Sequence, residues 1–214
     1  MSKEDSFDPD VLLHPGNMIQ LYARGYFPMA ESGESDNINF YLPDVRAVIP
    51  IYDYKIPRSL RQFMKKKEYT ITADQRFEDV INYCSQRSET WINSKLKKAY
   101  AELFKAGFLH TVEVYYDGEL AGGLYGITIS GAFMGESMFS LQPQASKIAL
   151  VHLISHLRRN EFVILDSQII NEHTRLFGAY EISDMQYQQL LDIALNGNFR
   201  FTDNLDEIGV NDLF

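Results

Sequence analysis

Apolar residues recur along this chain with two periods, and the period changes from segment to segment. Phe77, Val80, Ile81 and Cys84 fall at i, i+3, i+4 and i+7, the stripe of an amphipathic helix. Leu96, Tyr100, Leu103 and Phe104 repeat that spacing and leave Lys95, Lys97 and Lys98 off the stripe. Segments 110–115 and 120–127 are rich in β-branched and aromatic residues and flank Asp117-Gly118, a strong two-residue hairpin signal. A second turn at Ser130-Gly131 leads into 132–138, which predicts a three-stranded antiparallel meander. Leu150, Leu153, Ile154 and Leu157 mark a further helix, and 162–165 reads as a short buried strand. Ser183-Asp184-Met185-Gln186 is a capping box that opens the last clear helix.

The first 55 residues have a weaker pattern. Met18, Leu21 and Tyr22 predict a short helix ended by Gly25, 31–37 is loop-like, and Pro43 and Pro50 bracket a predicted edge strand at 45–49. The expected organisation is a small N-terminal domain over 1–55 followed by one α+β domain over 56–214, with helices packed on a mostly antiparallel sheet. That order is compatible with N-acetyltransferase-like (GNAT) folds, among others.

Composition narrows the function classes. With 214 residues, 45% of them hydrophobic, the chain can bury a substantial core. No stretch approaches the roughly 18 to 20 apolar residues of a membrane span. The opening MSKEDSFDPD is acidic and polar, unlike a secretory signal. The single cysteine, Cys84, excludes an internal disulfide and a multi-thiolate metal site. A cytoplasmic protein without membrane attachment is expected. A net charge of −9 argues against non-specific nucleic-acid coating. The cations are nevertheless clustered: Arg58, Arg61, Lys65, Lys66 and Lys67 lie within ten residues, either as a solvated face or as a phosphate contact.

Two polar segments follow hydrophobic strands. Gly135-Glu136-Ser137-Met138-Phe139-Ser140 ends the meander, and Asp166-Ser167-Gln168 ends the buried strand. Carboxylates there are strand-end or capping groups, or the rim of a ligand site at the open end of a sheet. Ser137 and Ser140 lack an evident histidine partner, which disfavours a nucleophilic serine. His173 has no second His or Cys at ligand spacing and reads as a capping or core histidine. Gly122, Gly123 and Gly126 form no phosphate loop and predict a bulge or close backbone approach within a strand. Trp91 is either core or a stacking face for a base.

Several blocks, in order, resemble the bacterial leucyl/phenylalanyl-tRNA–protein transferases. They are Tyr22-Ala23-Arg24-Gly25-Tyr26-Phe27-Pro28-Met29, Glu89-Thr90-Trp91-Ile92, Gly122-Gly123-Leu124-Tyr125-Gly126, the Gly135 to Ser140 block, Ala145-Ser146-Lys147, Asp166-Ser167-Gln168, Asn171-Glu172-His173 and Gly178-Ala179. The resemblance implies an acetyltransferase-like catalytic domain that moves Leu or Phe from Leu-tRNA or Phe-tRNA to proteins beginning with Arg or Lys, creating a destabilising N-terminus for N-degron proteolysis. It implies no cofactor and no metal, and a monomer is expected. An aminoacyl ester is already activated, so the enzyme need only place the amine, relieve its proton and steady the carbonyl oxygen. By resemblance Asp166 and Gln168 are the catalytic pair, and Glu136 meets the cationic acceptor. Phe133, Met138, Leu153 and Leu157 are expected around the aminoacyl side chain. Met29 and Trp91 are expected at the terminal adenosine of tRNA, and Arg58, Lys65 and Lys66 on its backbone. Phe40-Tyr41-Leu42-Pro43 stand where members commonly carry paired tryptophans and Ser-Pro. An acyl-CoA N-acetyltransferase would need a Gln/Arg-x-x-Gly-x-Gly/Ala loop, which is missing, and a non-catalytic binder of N-termini would not need the Asp166 and Gln168 pair.

Overall fold

A computed structural model describes residues 9–87, 90–202, 205 and 213. The first eight residues, most of the segment read above as unlike a signal, lie outside the described residues. The chain begins with α1 (Pro9–Leu12) and α2 (Pro15–Tyr22), then the hairpin β1 (Phe27–Ala30) and β2 (Ile38–Tyr41). Met18 and Tyr22 of α2 are fully buried. Gly25 closes the helix at φ 87°, and a side chain there would press on Tyr187 and Gln188 at 3.1 Å, so both conformation and space call for glycine.

Next come β3 (Val45–Val48), α3 (Arg58–Lys66), β4 (Thr70–Ala73), α4 (Phe77–Ser85) and α5 (Ser94–Lys105). The meander follows as β5 (Leu109–Tyr116), β6 (Glu119–Ile129) and β7 (Ala132–Ser140), then α6 (Ala145–Arg159), β8 (Ile164–Gln168), α7 (Glu172–Arg175), β9 (Tyr180–Ser183) and α8 (Asp184–Asn196). The hairpin and capping signals act as expected. Asp117 and Gly118 both have positive φ, 53° and 83°, the backbone a two-residue hairpin turn requires. Ser183 and Gln186 bond each other's backbone N–H at the start of α8.

Seven strands form one sheet in the order β4-β5-β6-β7-β8-β3-β9, antiparallel except for β7 and β8. This corrects the reading of β3 as an edge strand. It lies inside the sheet between β8 and β9, and its prolines sit outside the paired residues, so no ladder donor is lost. Successive residues of each strand face opposite cores. Ala132, Met134 and Ile164 join α2, α4, α5 and α8 on one side, while Phe133 and Leu165 join α3 and α6 on the other. The resulting α+β architecture is a mixed, mostly antiparallel sheet with helices on both faces. None of the described helices is long and apolar enough to cross a membrane.

Candidate active site

β7 and β8 run parallel for only three pairs: 132 with 164, 133 with 165, and 134 with 166. β7 then continues to Ser140 and β8 to Gln168 without pairing with each other, so the sheet is open between them. Two bulges accompany the opening. Gly135 and Ser137 of β7 face Gly126 and Tyr125, which leaves Glu136 as the extra residue. Asp166 and Gln168 of β8 face Val48 and Ala47, which leaves Ser167 extra. The bulge at Glu136 also inverts the alternation of β7, so Phe133 and Met138, five apart, pack on the same core.

A cleft of about 730 Å³ lies at this opening. Glu136, Ser137 and Met138 form one wall, and Ser167 and Gln168 form another. Phe27 and Met29 close it from the N-terminal hairpin, and Tyr83, Arg87 and Trp91 from the α4 side. Ile169, Asn171 and His173 stand at the rim. The Ala30 N–H donates to the Trp91 carbonyl at 3.2 Å, joining the hairpin to that wall.

Glu136 is partly buried and both its oxygens are held. The Tyr22 hydroxyl donates to Oε1 at 2.9 Å and the Tyr100 hydroxyl to Oε2 at 3.1 Å. Burial pushes this carboxyl up to about 7, against the lowering effect of the two tyrosine hydrogen bonds. Burial also raises both tyrosine hydroxyls well above their ordinary value, which keeps them protonated as donors.

Asp166 is fully buried and is not at the cleft surface. Arg46 Nε donates to its Oδ1 and Oδ2 at 2.9 and 3.0 Å, and Nη2 to Oδ2 at 2.6 Å. The Tyr187 hydroxyl donates to Oδ2 at 2.9 Å, and the Gln168 backbone N–H to Oδ1 at 2.8 Å. Gln168 itself has φ 56°, an uncommon backbone for a residue with a β-carbon. Its side chain reaches the cleft, where the Nε2 donor is buried without a hydrogen-bond partner among the described residues. A left-handed backbone and a buried donor without a described partner thus coincide at this residue of the cleft.

The other expected residues divide between cleft and core. Met29, Trp91 and Met138 line the cleft, whereas Phe133, Leu153 and Leu157 are buried in the α3 and α6 core behind Met138 and do not line it. The physical reason is that α6 is apolar around most of its circumference, buried from Ile148 to Leu157 against sheet and α3. Arg58, Lys65 and Lys66 are exposed on α3, which turns Leu60 and Met64 to the core. They lie on a helix that packs against α6 and are not cleft residues. Glu89 lies outside the described residues.

His173, read above as a capping or core residue, is exposed at the rim, and Asn171 supplies the cap of α7. Ser140 Oγ accepts from the Ser146 N–H at 3.0 Å and donates to the Ser146 hydroxyl at 2.8 Å, at the start of α6. Gly122 allows the α6 N-terminus to come close, since a β-carbon there would lie 2.6 Å from Ala145 Cβ. The described residues contain no group of three potential metal ligands.

Arg46, Tyr22, Tyr100 and Tyr187 were missed in the sequence. Arg46 carried a signal, as the sole charge in an otherwise apolar strand ahead of a buried carboxylate. Tyr22 and Tyr100 read as apolar residues of predicted helices, because a periodicity cannot tell a phenol that packs from one that also donates, and Tyr187 was not singled out at all.

The comparisons with known proteins agree along most of the chain. Residues 48–192 match the family model described as leucyl/phenylalanyl-tRNA protein transferase, and residues 7–44 match the model of that family's N-terminal domain. A leucyl/phenylalanyl-tRNA–protein transferase of Nitrobacter winogradskyi is 43% identical over 191 residues, covering 87% of this chain and 85% of the relative. Those of Paramagnetospirillum magneticum and Maricaulis maris are each 43% identical, over 83% and 89% of this chain and 87% and 90% of their own. These matches place the chain in the leucyl/phenylalanyl-tRNA protein transferase family, a family of aminoacyltransferases.

Proposed function

We propose that this chain transfers leucine or phenylalanine from Leu-tRNA or Phe-tRNA to the N-terminal amine of proteins that begin with Arg or Lys, and that the product is a degradation signal. The observation that carries this reading is the pairing, in one cleft, of an unsatisfied amide donor on Gln168 with a carboxylate on Glu136. The names and models matched by the chain support the donor and the reaction class. We read the fold as N-acetyltransferase-like on the basis of the parallel strands that part at the site, with 1–55 as the N-terminal domain and 56–214 as the catalytic one.

In the reaction the α-ammonium of the acceptor first loses a proton. Its nitrogen then attacks the ester carbonyl, the new C–N bond forms, and the bond from the carbonyl carbon to the ribose oxygen breaks. That oxygen leaves with the proton shed by the attacking nitrogen, and the proton first lost by the ammonium passes to solvent. Gln168 Nε2 would donate to the carbonyl oxygen as negative charge grows on it. Asp166 would act from behind by holding Gln168. Glu136 would attract the cationic acceptor, its charge undiluted by solvent on the tyrosine side.

The aminoacyl side chain would lie along Met138, with Phe133, Leu153 and Leu157 setting the firmness of that wall from the core. An apolar wall favours Leu and Phe over polar side chains by desolvation. Trp91 and Met29 would receive the terminal adenosine, stacking being tolerant of which tRNA carries it. Arg58, Lys65 and Lys66 would meet phosphates without reading bases. The protein would act as a monomer in the cytoplasm.

The test is a donor comparison with one Arg-initiated peptide. Leu-tRNA and Phe-tRNA should each transfer their amino acid, and Asp-tRNA should not. Equal transfer from all three would overturn the apolar-wall reading.

A further inference from the structure

The residue that organises the site is one that does not reach it. Arg46 is 1% exposed, yet every nitrogen of its guanidinium is used. Nε and Nη2 grip Asp166, and Nη1 donates to the Gly25 carbonyl at 2.6 Å. Its carbon centre lies 5.0 Å from the Phe27 ring and 4.5 Å from the Tyr187 ring. A single planar cation thereby joins the N-terminal segment, β8 and α8. Phe27 is a wall of the cleft, and Asp166 accepts the backbone N–H of Gln168 at 2.8 Å. Gln168 needs that restraint, since its left-handed backbone is one that a non-glycine residue leaves when it is free to do so.

We propose that Arg46 is a positioning residue, which through Asp166 holds Gln168 in the conformation that aims its amide into the cleft. This rests on the role given above to Gln168. Fixing the amide in advance leaves less ordering for the reaction step, and a displacement of about 1 Å can cost about a hundredfold in rate. Lysine cannot replace arginine here. Its one ammonium cannot grip both Asp166 oxygens and reach Gly25, nor stack flat between two rings.

The experiment is a double-mutant cycle read in single-turnover rate, acceptor KM, tRNA affinity and melting temperature. Arg46→Lys should slow transfer about ten- to hundredfold, with tRNA affinity within about twofold of wild type. Tyr187→Phe, which removes one donor to Asp166 and keeps the ring, is the milder variant and should slow transfer less. In a Gln168→Ala background both substitutions should have no further effect on the rate, because the group they position is gone. The amide resonances of Gln168 should shift in Arg46→Lys and Tyr187→Phe.

If Gln168→Ala is slow and Arg46→Lys multiplies that defect in full, the positioning role is wrong and the role of Gln168 stands. If Gln168→Ala turns over normally, the role of Gln168 fails first, and Arg46 has nothing to position. A loss of melting temperature in Arg46→Lys and Tyr187→Phe, with normal rate per folded molecule, would make Arg46 purely structural and also overturn the proposal.

Discussion

Replacing Glu136 by glutamine should make the protein more stable and less selective, and the first effect should depend on pH. Burial raises the Glu136 carboxyl from 4.5 to about 7. Between these two values the folded protein keeps a proton that the unfolded chain has lost. The folded state therefore binds more protons, and stability falls as pH rises through that window. At about 1.4 kcal/mol for each pH unit, the gap between 4.5 and about 7 comes to roughly 3 kcal/mol. Solvent in the cleft screens part of this, leaving about 2 kcal/mol. Glutamine keeps the shape and the two tyrosine neighbours but carries no charge, so the penalty disappears. For a domain of this size 2 kcal/mol corresponds to about 4–8 °C in melting temperature. Glu136→Gln should thus melt higher than wild type by about that amount near pH 8, and nearly equally with it near pH 4, below the window. The same charge draws the cationic acceptor, so turnover of an Arg-initiated peptide by wild type should fall as pH drops through about 7. The variant should lack that step and lose about ten- to hundredfold in preference for Arg over neutral N-termini. Calorimetry at both pH values and competition between two peptides measure the two effects. A melting difference independent of pH would refute the burial argument, and an unchanged acceptor preference would refute the role of Glu136.

Asp166→Ala should abolish most turnover and also destabilise by about 3–5 kcal/mol, because it strands the buried Arg46, and chemical denaturation beside single-turnover kinetics will separate the two losses. Lys65→Ala with Lys66→Ala should weaken every donor tRNA alike and reduce the slope of log affinity against log salt by up to about 0.9 per lost phosphate contact, whereas an unchanged slope would make α3 a solvated face. Gly122→Ala should lower stability by about 1–3 kcal/mol, since its β-carbon would meet Ala145 at 2.6 Å and the Phe139 carbonyl at 2.8 Å, and a neutral result in thermal melts would show that α6 can retreat.

The elements that were legible in the sequence are those whose signal is local. Asp117-Gly118 specifies its own turn, Ser183 and Gln186 cap their own helix, and the stripes of α4 and α5 repeat over several turns. What was hidden depends on distant partners. The helix α3 was masked by its charges, since Arg58, Arg61, Lys65 and Lys66 drew attention from the two buried residues, Leu60 and Met64, that hold it down. β3 looked like an edge because of its prolines, and only the long-range pairing with β8 and β9 places it inside the sheet. In the site, Glu136 and Gln168 stood out as polar residues at strand ends, but Asp166 lies one layer deeper than its position suggested. A bulge is a single residue of register, invisible to a pattern of period two, and here two bulges decide which side chains face the cleft and which face the core.

The central claim is transfer of an amino acid to a protein N-terminal amine, and it is tested most directly with [14C]Leu-tRNA and two peptides of the same sequence beginning with Arg. One peptide has a free N-terminus, and the other is acetylated there. The account predicts that the free peptide gains one leucyl residue on its α-nitrogen, located by fragment mass spectrometry, and that the acetylated peptide gains none. Equal labelling of both peptides, or label found on a side chain, would contradict it.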